Sequence, residues 1–257
     1  ANYDKFLREL HVYEEGNLDE IDQLILRVAR IFGECELAMP KDFVGEVRNY
    51  IKKWQSTDRL EKAVTRAVEN GYVNKVAETM LKHDLPPQFF YLALQESDFR
   101  PQRVGPSTNF GFAKGIWQFI PQTALKYGLQ TGPLVEIAKY DPRDERFNFD
   151  KATVAAAQYI RDIYDTDAQA SGLLVISSYN WGERRVVSLI QKMPQNPRER
   201  NFWQLLKKYR QQFPLETYNY VFYIISAATI GENPKLFGFS FDNPLENVNE
   251  DMFKLGS

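Results

Sequence analysis

Apolar residues recur every three or four positions along almost the whole chain, and no stretch alternates apolar and polar residues for long. That pattern restricts the fold more than any other feature. It places one apolar stripe on a series of helices and leaves no sheet to carry the core. Ile21, Leu24, Ile25 and Val28 define a first stripe, which Gly33 closes. Phe43, Val47, Tyr50, Ile51 and Trp54 define a second, beginning near Pro40. Leu60, Val64, Ala67 and Val68 make a third. Val73, Val76, Ala77, Met80 and Leu81 make a fourth, set off by Asn70-Gly71. Pro86-Pro87 opens another helix, since proline is favoured in a first turn. Further helices are expected over 121–127, 151–164, 172–179, 184–192, 199–211 and 216–230. Residues 101–115, 129–148 and the segment from 231 onward read as irregular. No repeat at solenoid spacing is present.

The chain has 257 residues, enough to bury a core without covalent staples. Residues 1–80 read as an N-terminal helical region, 81–240 as the main domain and 241–257 as an irregular tail. Several function classes drop out early. Lys+Arg is 32 against Asp+Glu 34, so the basic excess of a nucleic-acid binder is missing. The single cysteine, Cys35, forms no intrachain disulfide and sits between Glu34 and Glu36, which disfavour a thiolate; a buried or an idle thiol is expected. His11 and His83 are far apart, which removes HExxH metalloproteases. The longest apolar run, 220–230, is shorter than the ~20 residues a bilayer requires. The first residues are not a signal peptide, so either the protein is cytoplasmic or a targeting segment precedes this chain.

Four segments carry chemistry. Glu96 lies four residues after Leu92 and three after Ala93, on the apolar face of its helix. Burial and the nearby helix C-terminus both disfavour its charged form, as a general acid requires. A buried glutamate paired with Arg100 or Arg103 fits the same pattern. Gly115-Ile116-Trp117-Gln118 offers a close backbone approach, a flat aromatic face and an amide, or else a core hairpin entering a helix at Pro121. Tyr179-Asn180-Trp181-Gly182 offers a hydroxyl and an amide, or else a simple helix cap. Glu216-Thr217 with Tyr220-Val221 opens the last helix with an acidic turn that suits the dipole in any case.

In this order, Glu96-Ser97-Asp98-Phe99-Arg100-Pro101, Gly115-Ile116-Trp117-Gln118-Phe119-Ile120-Pro121, Tyr179-Asn180-Trp181-Gly182 and Glu216-Thr217 with Tyr220-Val221 resemble the lytic transglycosylases. These are murein-cleaving enzymes with a goose-lysozyme-like helical catalytic domain, and the likeness is greatest to the membrane-bound D type. Leu85-Pro86, Tyr127-Gly128-Leu129 and Asn201-Phe202-Trp203 fit as well, so the resemblance covers roughly residues 40 to 240.

It implies that Glu96 is the single acid/base and that the products carry 1,6-anhydro ends. By the same resemblance Ser97 sits beside the acid, Gln118 and Asn180 contact sugar, and Tyr179 orients Glu96. Glu216 and Tyr220 shore up the cleft. Peptidoglycan is the implied partner, a periplasmic or envelope location follows from the family, and no metal or cofactor is required. Any membrane association would come through segments outside this chain. Departures exist: the connection from Ser97 to Gly115 is about four residues longer than the usual pattern. Trp181 replaces a small residue, Phe222 replaces a proline, and 207–213 looks inserted. A hydrolytic muramidase on the same fold needs a second carboxylate, with Asp98, Asp141 and Asp144 as candidates. A glycan-binding scaffold without turnover is the remaining alternative.

Overall fold

A computed structural model describes residues 19–34, 40, 42–196 and 199–248. Cys35, His11 and residues 249–257 of the expected tail lie outside the described residues. The helices are α1 (Glu20–Ile31), α2 (Phe43–Gln55), α3 (Arg59–Glu69), α4 (Tyr72–Lys82), α5 (Phe90–Ser97), α6 (Pro121–Lys126), α7 (Phe149–Tyr164), α8 (Gly172–Trp181), α9 (Glu183–Ile190), α10 (Phe202–Tyr209) and α11 (Leu215–Glu232). The mainly helical fold expected from the periodicity is the one observed.

Side-chain caps start several of these helices. Asp19, Asn148, Ser171 and Asn201 accept hydrogen bonds from the backbone N–H groups of Asp22, Lys151, Leu174 and Gln204. Helices α8 and α11 are buried around most of their circumference, and such helices belong inside. Accordingly α11 is the axis of the molecule, packed against α1, α2, α5 and α8. The N-terminal helices contribute Val28, Val47, Trp54 and Val64 to the same buried cluster as α5 and α11.

Two regions depart from the expected irregularity. Residues 101–115 contain an antiparallel hairpin, β1 (Val104–Thr108) and β2 (Gly111–Lys114), with Thr108 opposite Gly111 and Ser107 opposite Phe112. The ladder is irregular between Val104 and Ser107, where Pro106 has no N–H to donate. The segment after α11 forms a 3-10 turn, Pro234–Phe237, and buries Phe237, Phe239 and Leu245 against the core. The expected irregular tail therefore packs through its apolar residues as far as it is described.

An ionic cluster fixes the segment 129–148 under the hairpin. Arg146 and Asp144, both fully buried, form a bidentate pair at 2.9 and 2.6 Å. Arg146 also donates to the carbonyls of Phe112 and Phe119 at 2.8 and 3.1 Å. Lys114, likewise buried, donates to the Leu134 carbonyl at 2.7 Å. Each buried charge thus has the hydrogen-bonded partners that offset its lost hydration.

Candidate active site

Helix α5 has only eight residues, and Phe90, Leu92, Ala93 and Leu94 anchor it in the core. This packing carries Glu96 to the protein interior near the helix C-terminus, half-buried as its spacing predicts. Across from it, the second turn of α11 presents Tyr220, whose hydroxyl donates to Glu96 Oε1 at 2.5 Å. No salt bridge to Glu96 forms among the described residues, so the expected alternative of an Arg100 or Arg103 pair is not realised. Burial pushes the Glu96 carboxyl up to about 7. The Tyr220 hydrogen bond pulls the other way by favouring the carboxylate, and the negative charge of Glu216 adds to the rise. Glu96 therefore holds its proton near neutral pH while a donor waits to stabilise the anion.

The remaining candidates divide. Tyr179 does not bond to Glu96, contrary to the expectation; its hydroxyl donates to the Trp117 carbonyl at 2.8 Å. It still lies close enough that the Glu96 charge helps to push its own pKa well up, after burial. Tyr220 thus has the contact expected of Tyr179. Asn180 accepts from Thr217 Oγ1 at 2.7 Å, which ties the end of α8 to the start of α11. Glu216 is exposed in the first turn of α11.

Of three residues expected at a sugar, Trp117 and Gly115 face inward, while Gln118 is half-buried. Trp117 is fully buried and its Nε1 donates to Thr153 Oγ1 at 3.0 Å, so its ring is core and not platform. Gly115 has φ +81°, and a Cβ there would lie 1.8 Å from the Arg146 carbonyl oxygen. Its lack of a side chain admits protein backbone, not ligand. Gln118, itself at φ +49°, spends its side-chain Nε2 on the carbonyls of Gly115 and Arg103 at 2.7 and 3.2 Å. Ser97 follows Glu96 in sequence but is buried, with its hydroxyl turned back to the Ala93 carbonyl at 3.3 Å.

Candidate second carboxylates are all engaged. Arg59 Nε donates to Asp98 Oδ1 at 2.7 Å. Asp141 is buried and accepts from the N–H groups of Leu134 and Arg143, and Asp144 is held by Arg146. Among the described residues no group of His, Cys, Asp and Glu could hold a metal ion. Two surface pockets, of about 610 and 190 Å³, exclude Glu96: the larger lies beside Gln55, Glu61 and Phe239, the smaller beside Gly33, Tyr164 and Ser171. The Glu96–Tyr220 contact defines the site.

The sequence signature described as Transglycosylase SLT domain matches residues 74–202, half of the chain. The chain belongs to the transglycosylase SLT family. Its matched portion holds Glu96, the 115–118 segment and the Tyr179-Asn180 pair, whereas Glu216 and Tyr220 lie beyond it. Two Escherichia coli proteins, each named membrane-bound lytic murein transglycosylase D, are similar to this SLT-family chain at 28% identity over 210 residues. The likeness takes in 82% of this chain and 42% of each relative, so the chain spans less than half their length. No helix among the described residues is long and apolar enough to cross a membrane.

Proposed function

We propose that this chain is a peptidoglycan lytic transglycosylase in which Glu96 is the single acid/base. The observation that carries the reading is a carboxyl raised by burial to about 7 with a phenol hydroxyl on its Oε1. In the first step Glu96 gives its proton to the oxygen linking N-acetylmuramic acid to N-acetylglucosamine, and the C1–O bond breaks. The anion left on Glu96 forms where Tyr220 already donates, so its stabilisation needs no rearrangement. In the second step the carboxylate takes the proton of the muramic C6 hydroxyl as that oxygen bonds to C1. The ring closes to a 1,6-anhydro sugar, no water is consumed, and Glu96 recovers its proton. The substrate's own N-acetyl group assists at C1, which is why one carboxylate suffices.

An inverting hydrolase on the same fold would require a free carboxylate to hold a water opposite Glu96. Asp98, Asp141 and Asp144 have their oxygens committed to Arg59, to backbone N–H groups and to Arg146. This favours the transglycosylase over an inverting muramidase built on any of these three aspartates, and the raised Glu96 carboxyl favours an enzyme over a glycan-binding scaffold. Murein glycan strands in the bacterial envelope are the substrate and location that accompany this reading, which the membrane-bound relatives support. We further propose that Asn180 and Glu216 line the sugar path from the two helix ends that Thr217 joins. The helical region before residue 81 completes the core beneath it.

The test is solubilisation of purified murein sacculi by the chain and by Glu96→Gln. Gln keeps an acceptor for Tyr220 but has no proton to give. Loss of solubilisation with an unchanged fold is expected, and continued cleavage by the variant would refute the assignment of Glu96.

A further inference from the structure

We propose that Arg59 and Arg66 of α3, working with Trp54 of α2, are positioning residues that hold Glu96 against Tyr220. The inference rests on the role given to Glu96 above and concerns residues that precede the SLT match, which begins at residue 74.

The chain leaves Glu96 in an uncommon way. Helix α5 ends at Ser97, and the next two residues, Asp98 and Phe99, are both left-handed, at φ 53° and 57°. Asp tolerates this conformation but Phe does not, so two in succession persist only where surrounding contacts over-determine them. Phe99 is pinned by burial, its ring 4.6 Å from that of Phe90. Asp98 is pinned by α3. Arg59 Nε donates to Asp98 Oδ1 at 2.7 Å, and Arg59 Nη2 to the Gln95 carbonyl at 3.4 Å. Arg66, seven residues on and hence on the same helix face, donates through Nη1 to the Asp98 carbonyl. Two guanidinium groups thus occupy the C-terminal end of α5, where orphan carbonyls and the helix dipole both attract cations.

The same brace reaches the other half of the site. The Arg59 guanidinium sits over the Trp54 ring, 5.0 Å from its centroid. Trp54 Nε1 in turn donates to Ser226 Oγ at 3.0 Å and to the Tyr223 carbonyl at 3.1 Å, both on α11, the helix that bears Tyr220. One connected path, from Asp98 through Arg59 and Trp54 to α11, therefore spans both partners of the Glu96–Tyr220 hydrogen bond. Misplacement of a catalytic group by as little as an ångström lowers turnover steeply. A brace that fixes both ends of that bond sets the reactivity of Glu96 without touching substrate.

The experiment uses the whole chain with Arg59→Gln, Arg66→Gln and Arg59→Gln/Asp98→Gly, and Arg59→Lys as the milder variant should the first fail to fold. Three quantities are read: kcat and KM on murein sacculi, urea stability, and the Glu96 carboxyl titration by carbon NMR. In Arg59→Gln, kcat falls ~10- to 100-fold while KM changes less than about twofold. The Glu96 titration moves upward, because a loosened Tyr220 contact no longer favours the carboxylate. Adding Asp98→Gly relieves the left-handed residue that Arg59 holds and recovers stability, but kcat stays low. Recovery of kcat together with stability would mean that Arg59 serves folding alone and would overturn the proposal. So would an unchanged Glu96 titration in Arg59→Gln, a readout that requires no turnover. Failure of the unmodified chain to yield anhydro products would instead overturn the proposed function, leaving the titration to judge the brace.

Discussion

Replacing Glu96 by Gln makes the protein more stable, and only at the upper end of the pH range. Folded Glu96 titrates at about 7, whereas the ordinary glutamate value, which the unfolded chain approaches, is 4.5. Below that value both states carry the proton and Glu96 adds no pH dependence. Between the two values the unfolded chain ionises first, so it gains relative to the folded state and stability falls as pH rises. Above about 7 both states are ionised and the full penalty stays. At about 1.4 kcal/mol per pH unit the gap amounts to about 3 kcal/mol, which screening of a half-buried group lowers to roughly 2 kcal/mol. Glu34 is raised to about 7 by its own burial and adds a parallel decline, so the substitution removes only the share of Glu96. Urea unfolding of both proteins from about pH 4 to about pH 8 measures the difference. Equal stability at the acid end and a gain of roughly 2 kcal/mol for Glu96→Gln at the alkaline end are expected. A constant offset across the range, or a variant less stable at alkaline pH, would refute the burial argument on which the acid assignment depends.

Tyr220→Phe removes the one bond that lowers the Glu96 pKa; its alkaline activity limb should rise by about one pH unit, and turnover should fall about tenfold. A limb that stays in place would show that Tyr220 does not act on the carboxyl. Tyr179→Phe loses the bond to the Trp117 carbonyl, so denaturation should show a loss of about 1–2 kcal/mol with the limb unmoved. A displaced limb would return Tyr179 to the orienting role. Gly115→Ala forces a Cβ onto the Arg146 carbonyl at a left-handed residue, and should cost about 3 kcal/mol or more in chemical denaturation. A well-folded, equally stable variant would contradict the close approach.

The helices were legible because three- and four-residue spacing is a local property, and Glu96 was legible because Leu92 and Ala93 fix its face. Hairpin 104–114 was not. Its strands are four and five residues long, mostly outside the core, and interrupted by Pro106, so they leave no alternation to read. Trp117 shows a different limit. An aromatic beside a glycine suits a sugar platform or a core, and the choice is made by Thr153, on a helix 36 residues away. The contact with Glu96 fell to Tyr220 and not Tyr179 for the same reason. Both are tyrosines near the acid, and only the packing of α8 and α11 on α5 determines which hydroxyl reaches Oε1. Thr217 and Asn180 each stood out in sequence, but their mutual bond joins motifs 37 residues apart. Tail residues Phe237, Phe239 and Leu245 are buried without helical spacing, so periodicity had nothing to detect.

Mass spectrometry of the products released from murein sacculi tests the central claim most directly. If Glu96 acts alone and the C6 hydroxyl is the nucleophile, the chain releases muropeptides lighter by one water than hydrolysis products, and Glu96→Gln releases none. Muropeptides with free reducing ends would contradict the account, because they would show that water and not the C6 hydroxyl attacks C1.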